Sequence, residues 1–292
     1  MRYEVEGRDW PNRQWSRFVQ TDRLRFHAVQ QGEGPDIVLL HGVGGSTHCW
    51  APLIDRLVRH GTGGLRVTAV DLPGHGFTEA PDDARLTPAH MAEDIAQALA
   101  LLGCANPVAL IGHSAGAALA MLLAVQMPQR PRLVLGVNPS LVPPDRMPMP
   151  GWLEALARPF VRAGAFAAFW AQIGRSPRLL DKVLASTGSR VQPAQRRCYQ
   201  HIAASPAHVH AALTMMVQWQ EEQVTQTFAQ IQHHTDRLVL LAGAQDRWIP
   251  PAAIDRVAQR IAGAQVVRFE AGHLGPEDAP DFVASWVEAA TS

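Results

Sequence analysis

Cysteine is scarce in this 292-residue chain: Cys49, Cys104 and Cys198 are the three, and no two lie close together. An odd, scattered set argues against a disulfide framework and offers no zinc-ligand spacing. Charge of one sign is not in surplus. Lys and Arg number 26, Asp and Glu number 26, and the formal net charge is zero. Nothing therefore points to nucleic acid as a partner, and no acidic tail points to a basic one. Long apolar runs are missing too. The longest, Ala115 to Val125, falls short of the roughly 20 apolar residues that span a bilayer. The N-terminal segment is charged throughout and lacks the apolar stretch of a secretory signal. Internal repeats and low-complexity tracts are absent. With 47% hydrophobic and 18% charged residues, the expectation is a soluble, cytoplasmic globular protein with no transmembrane segment, able to touch a membrane surface.

What is there alternates. Arg17–Thr21 and Leu24–Gln31 read as a short antiparallel pair. Ile37–His41, Arg66–Asp71, Val108–Ile111 and Leu133–Val137 read as strands apolar on both faces, separated by helical segments at Trp50–Arg59, Pro88–Leu102 and Ala115–Gln126. That pattern predicts an α/β fold with a mostly parallel sheet covered by helices on both sides. It breaks after Asn138. The stretch from Pro139 to Gly151 holds five prolines and no strand signal, and helical segments follow to about Gln223. Strands resume at Leu238–Ala242 and Gln265–Phe269, with helices from Pro251 and near Asp281–Ala290. The division expected is a core from 1 to 138, an inserted helical cap from 139 to 225, and the rest of the core from 226 to 292.

The chemistry sits in the loops after strands. Gly112-His113-Ser114-Ala115-Gly116 follows an apolar strand and opens an Ala-rich helix, the context that turns a common G-x-S-x-G pentapeptide into a nucleophile elbow. The turn is sharp, and side chains at either glycine would clash. A serine hydroxyl needs a base. His273, in Glu270-Ala271-Gly272-His273-Leu274-Gly275, follows the last strand. Asp246, in Gly243-Ala244-Gln245-Asp246-Arg247, follows the strand before it. The order Ser, Asp, His is the one this arrangement requires. An acid could instead follow the earlier strand, but Asn138 stands there and does not ionise. Glu277 and Asp278 are read as surface or helix-start residues. The oxyanion hole is expected from the backbone N–H groups of Ala115 and of Val43 in the loop His41-Gly42-Val43-Gly44-Gly45. That loop is no phosphate-binding loop, for it lacks the Gly-Lys-Ser/Thr ending.

Other residues carry weaker signals. His75 is read as structural, and His41 and His113 as partners in loop hydrogen bonds. His201, His208, His210, His233 and His234 have no ligand spacing, so neither a metal nor another cofactor is expected. An apolar pocket under the cap is expected, with Trp50, Phe166, Trp170, Met215 and Trp219 along it. Trp152, Phe160, Phe169 and Met216 are further contributors or parts of the cap's own core.

The triad, the His-Gly loop and the segment Asp71-Leu72-Pro73-Gly74-His75-Gly76 resemble the α/β-hydrolase superfamily across nearly the whole chain. A narrower resemblance rests on Asp9-Trp10-Pro11-Asn12-Arg13, Ser16-Arg17-Phe18-Val19, Gly45-Ser46-Thr47-His48-Cys49-Trp50 and the elbow running on to Ala117-Ala118. These resemble the magnesium-chelatase accessory proteins of bacteriochlorophyll biosynthesis. The resemblance implies a role near insertion of magnesium into protoporphyrin, a tetrapyrrole or another hydrophobic small molecule as ligand, and chelatase subunits as partners. Partner contact is expected at apolar patches near the cap and around Trp10 and Phe18. The chemistry itself implies hydrolysis of an ester or similar acyl bond. Two alternatives stay open: a non-catalytic protein that binds a tetrapyrrole or chelatase subunit, and a general carboxylesterase outside pigment synthesis. Haloalkane dehalogenation needs a carboxylate where Ser114 stands.

Overall fold

The computed structural model describes residues 1–60, 64–142 and 164–291. One eight-stranded sheet organises them, in the order β1-β2-β4-β3-β5-β6-β7-β8. The strands are β1 (Ser16–Gln20), β2 (Arg25–Gln31), β3 (Asp36–Leu40), β4 (Arg66–Val70), β5 (Ala109–His113), β6 (Leu133–Val137), β7 (Arg237–Gly243) and β8 (Ala264–Phe269). β1 pairs antiparallel with β2, and β2 antiparallel with β4, while every pairing from β4 to β8 is parallel. The mostly parallel α/β architecture expected from the alternation is the one observed.

Continuous apolar strands are what a two-sided sheet requires. Along β3, Val38 and Leu40 enter one core layer and Ile37 and Leu39 the other, following the two-residue period of a strand. The first layer lies under α3 (Pro88–Leu101), α4 (Ala115–Gln126) and α10 (Pro251–Ala258). The second lies under α2 (Ala51–His60) and α12 (Pro280–Thr291). Ten successive residues of α4, Ala115 to Ala124, are buried, which is why that helix is apolar all round. Pro88 opens α3, the Thr87 side chain accepts the His90 N–H, and Gly103 at φ 74° follows its end.

Between Val137 and Arg237 no described residue adds a strand to the sheet. Helices occupy that interval: α5 (Gly164–Gly174), α6 (Pro177–Ser186), α7 (Pro193–Ala203), α8 (Pro206–Val217) and α9 (Glu221–Thr225). The expected pocket residues Trp152 and Phe160, and the side chain of Phe166, lie outside what is described. Short turns without a periodic signal in the sequence include α1 (Tyr3–Glu6), the 3-10 turn Thr47–Trp50 and α11 (Gly275–Asp278).

Candidate active site

Ser114 stands at the junction of β5 and α4 with φ 52° and ψ −121°. That backbone conformation is costly for a residue with a Cβ, and it persists only where the surroundings impose it. They do so through glycine. A Cβ on Gly112 would lie 2.2 Å from the Gly116 carbonyl oxygen, and one on Gly116 would lie 2.1 Å from the Leu40 oxygen. The turn closes because both side chains are missing. The Ser114 N–H donates to the Val137 carbonyl at 3.0 Å, and its own carbonyl accepts from Ala117 and Ser140 at 3.1 and 3.0 Å.

Asp246 and His273 reach the same carboxyl edge of the sheet from β7 and β8. Both are buried, and His273 Nδ1 lies 2.8 Å from Asp246 Oδ2. With the Nδ1 hydrogen donated to the carboxylate, a neutral imidazole keeps its lone pair on Nε2, the form a general base needs. The Asp246 carboxylate accepts three further hydrogen bonds: Asn138 Nδ2 at 2.8 Å on Oδ2, and the Trp248 and Ile249 N–H groups at 2.8 Å each on Oδ1. Asn138 has φ 47°, a left-handed conformation that asparagine tolerates. Only its amide NH2 can face a carboxylate, so the orientation of the side chain is fixed by chemistry. Its position after β6 was passed over in the sequence because it does not ionise.

The histidine loop is braced from several sides. His113 Nε2 donates to the His273 carbonyl at 2.7 Å, and the two rings lie 5.1 Å apart. Burial, with the His273 ring beside it, lowers the His113 pKa to about 3, so it holds the loop as a neutral ring. The His273 N–H donates to the Thr187 carbonyl at 2.9 Å, and the Leu274 N–H to Ser189 Oγ at 2.8 Å. Asp278 accepts from the Gly272 and Arg190 N–H groups. Glu277 is not simply a surface residue at a helix start. Its carboxyl turns toward α7, where Tyr199 Oη donates to Oε1 at 2.5 Å, and Oε2 is buried without a partner among the described residues. Burial pushes its pKa up to about 8, against the opposing hydrogen bond from Tyr199.

The loop expected to supply the second oxyanion donor approaches Ser114 closely. A Cβ on Gly42 would lie 2.8 Å from the Ser114 Cβ. The Gly45 N–H donates to the Gly42 carbonyl at 3.1 Å, and Gly44 has φ 71°. Among the described residues neither the Val43 nor the Ala115 N–H is taken up by a loop carbonyl or a side chain. His41 holds the loop's root: Nδ1 donates to the Gly42 carbonyl at 2.8 Å, and Nε2 accepts the Leu72 N–H at 3.0 Å. Burial, then the nearby His75, lowers its pKa to about 3. His75 Nδ1 donates to the Pro73 carbonyl, and His208 Nδ1 accepts the Gly76 N–H, so α8 is tied to this loop. His210 pairs instead with Asp83.

Asp71 organises the same side. Oδ1 accepts the Thr47 N–H at 2.7 Å, and Oδ2 accepts from Phe77 N–H at 2.9 Å and from His27 Nδ1 at 2.7 Å. Burial alone would raise its pKa, but His27 and these donors outweigh it and hold it at about 2. Ser16 Oγ lies 2.9 Å from His27 Nε2, which completes a second Ser–His–Asp chain on β1, β2 and the end of β4.

Among the described residues, the expected pocket side chains do not gather. Trp50 is fully buried with Leu53 and Ile54 in the layer under α2 and α12. Met215 is buried, and Trp219 half-buried, in the opposite layer, while Trp170, Phe169 and Met216 are exposed on the inserted helices. Trp10 is buried, its Nε1 donating to Thr47 Oγ1 at 3.2 Å, and Phe18 packs against the Tyr3 and His27 rings. Both pin the N-terminal segment to the core.

Comparison with known proteins agrees with this fold. Residues 35–280 match the family model described as alpha/beta hydrolase fold. The chain belongs to that family. It is 30% identical over 291 residues to the magnesium-chelatase 30 kDa subunit of Rhodobacter capsulatus, covering 96% of this chain and 97% of that one. It is 27% identical to the pimeloyl-[acyl-carrier protein] methyl ester esterase of Xanthomonas campestris pv. campestris, covering 86% of this chain and 92% of that one. Among solved structures, an alpha/beta hydrolase fold protein from Burkholderia ambifaria superimposes with a TM-score of 0.72 at 22% identity, covering 94% of this α/β hydrolase and 97% of the other chain. No helix among the described residues is long and apolar enough to cross a membrane.

Proposed function

We propose that this protein is a serine hydrolase that cleaves an ester or related acyl bond, with Ser114 as nucleophile, His273 as base and Asp246 as the residue that orients it. The single observation that carries the reading is the His273 Nδ1–Asp246 Oδ2 hydrogen bond on the sheet edge where Ser114 sits in its strained turn. His273 Nε2 takes the Ser114 hydroxyl proton as Oγ bonds to the acyl carbon. The carbonyl oxygen becomes an oxyanion facing the Val43 and Ala115 N–H groups, a kind of donor worth about 2.7–4 kcal/mol each. The proton then passes from His273 to the departing alkoxide, which leaves an acyl-serine. Water, deprotonated by His273, attacks that acyl carbon and releases the acid and the free serine. The inserted stretch 139–225, whose described helices run from Gly164 to Thr225, serves as a cap over this site for a hydrophobic substrate.

The biological setting we infer is magnesium chelation in bacteriochlorophyll synthesis, on the strength of the end-to-end likeness to the chelatase 30 kDa subunit. The same likeness favours a second reading, in which the protein binds a tetrapyrrole or a chelatase subunit and turns nothing over. A fluorophosphonate probe separates them. The hydrolase reading expects labelling at Ser114, its loss in Ser114→Ala, and a drop of about 10²–10⁴-fold in His273→Ala. Equal labelling of wild type and Ser114→Ala removes that reading. Deletion of the gene, with rescue of pigment by wild type but not by Ser114→Ala, ties hydrolysis to the pathway.

A further inference from the structure

Three of the inserted helices, α5 to α7, carry a charge imbalance that the whole chain does not. Between residues 164 and 204 there are six cationic side chains, Arg175, Arg178, Lys182, Arg190, Arg196 and Arg197, and one acidic one, Asp181. Asp181 is already taken by Arg196, whose Nε lies 2.6 Å from Oδ1. Among the described residues Arg175, Arg178, Lys182 and Arg197 enter no ion pair.

Helix α6 concentrates this charge beside apolar surface. Its buried stripe is Leu180 and Leu184. On a helix of 3.6 residues per turn, Arg178, Lys182 and Ser186 stand opposite that stripe and Leu179 and Val183 on one flank of it, all exposed. Leu179 is 36% exposed and Val183 45%, an apolar pair at i and i+4 that reaches the surface. Apolar side chains between long cationic ones, whose stems lie along the surface while the heads stay in water, make a face suited to the interface of an anionic bilayer. A purely solvated helix face does not need Leu179 and Val183, and a protein-binding apolar groove does not need the cations.

This face runs into the candidate active site. Trp248 Nε1 donates to Ser186 Oγ at 3.0 Å. The Trp248 ring, 44% exposed, lies 5.2 Å from the His273 ring. Thr187 and Ser189, just past the end of α6, hold the His273 loop by the two hydrogen bonds described above. The outer face of α6 is thus fixed rigidly to the rim of the site, with an amphipathic indole between them.

We propose that the outer face of α6, continued by Trp248, docks on the anionic surface of a lipid bilayer and that the Ser114 site takes an ester held in that bilayer. The substrate half rests on the hydrolase reading; the docking half stands without it. The test uses the full chain with vesicles of phosphatidylcholine alone and of phosphatidylcholine mixed with phosphatidylglycerol. Wild type and Ser114→Ala both float with the mixed vesicles, not with the neutral ones, and dissociate as salt rises from about 0.1 to about 0.5 M. The double variant Arg178→Glu, Lys182→Glu binds about tenfold more weakly or less. Leu179→Asp with Val183→Asp does the same while its unfolding temperature stays that of wild type. Because Cys49, Cys104 and Cys198 are all buried, a polarity-sensitive dye on Val183→Cys reports this face alone, and its emission shifts to the blue on the mixed vesicles. Binding that the charge reversal leaves unchanged overturns the proposal. So does a dye that stays in water while the protein captures a soluble acidic protein. If docking holds but neither a short soluble ester nor a lipid ester is cleaved, the hydrolase reading fails and the docking surface survives.

Discussion

The side-chain amide of Asn138 stands 2.8 Å from Asp246 Oδ2, the same oxygen that accepts the His273 Nδ1 hydrogen. An unionisable residue after β6 thus supports the acid after β7. Loss of one hydrogen bond to a charged group removes about 1.5–3 kcal/mol, so Asn138→Ala is expected to lower kcat for a soluble ester by about 10- to 10²-fold, with KM nearly unchanged. Asn138→Asp should be worse at pH 7, because two carboxylates would then share one hydrogen-bond site. Steady-state kinetics on the three proteins checks the order wild type, Ala, Asp. An Asp variant as active as wild type would remove Asn138 from the site's machinery.

Glu277 provides a pH dependence with a definite sign. Its pKa rises from an ordinary 4.5 to about 8, chiefly through burial. The folded state therefore favours the protonated form, and the unfolded state ionises first. The contribution is complete below about pH 4.5 and is lost progressively as pH climbs to about 8. Glu277→Gln keeps an acceptor for Tyr199 and cannot ionise. Relative to this variant, wild type should lose stability on the order of 1–3 kcal/mol between pH 5 and pH 9. Thermal unfolding of both across that range is the measurement, and parallel curves would contradict the assignment.

Two glycines near Ser114 should fail in different ways. At Gly112 a methyl group meets the Gly116 carbonyl at 2.2 Å, backbone against backbone, so Gly112→Ala should cost about 2–4 kcal/mol and lower the unfolding temperature by several degrees. At Gly42 the methyl meets the Ser114 Cβ at 2.8 Å and the His113 carbonyl oxygen at 3.2 Å. Gly42→Ala should cost less stability than Gly112→Ala and lower kcat by about 10²-fold or more through a displaced oxyanion loop. Calorimetry and kinetics on both variants distinguish the two outcomes.

Much of this was legible in the sequence because local periodicity carried it. β3 through β6 read as two-faced strands since both their faces are buried, and the Ser–Asp–His order followed from which strand each loop ends. What stayed hidden depends on contacts between distant segments. Trp50 shares a composition with pocket residues, yet the 3-10 turn that precedes α2 rotates it into the core. Glu277 is written like a helix-start acid, and only the position of Tyr199, on a helix 78 residues away, turns it inward. Asn138 carried no ionisable signal, although the αL tolerance of asparagine beside an acidic loop was a clue. The cationic face of α6 vanished in a chain whose charges cancel.

Ser16, His27 and Asp71 repeat the donor chain of Ser114, His273 and Asp246 in one molecule, at 2.9 and 2.7 Å. Ser16, however, lies in an ordinary strand paired with β2 and not in a strained turn. The protein therefore contains its own reference serine. One reactive-probe experiment with both peptides quantified from the same tube reports how much nucleophilicity comes from the histidine and carboxylate alone, and how much from the strained turn and the oxyanion donors proposed for Ser114.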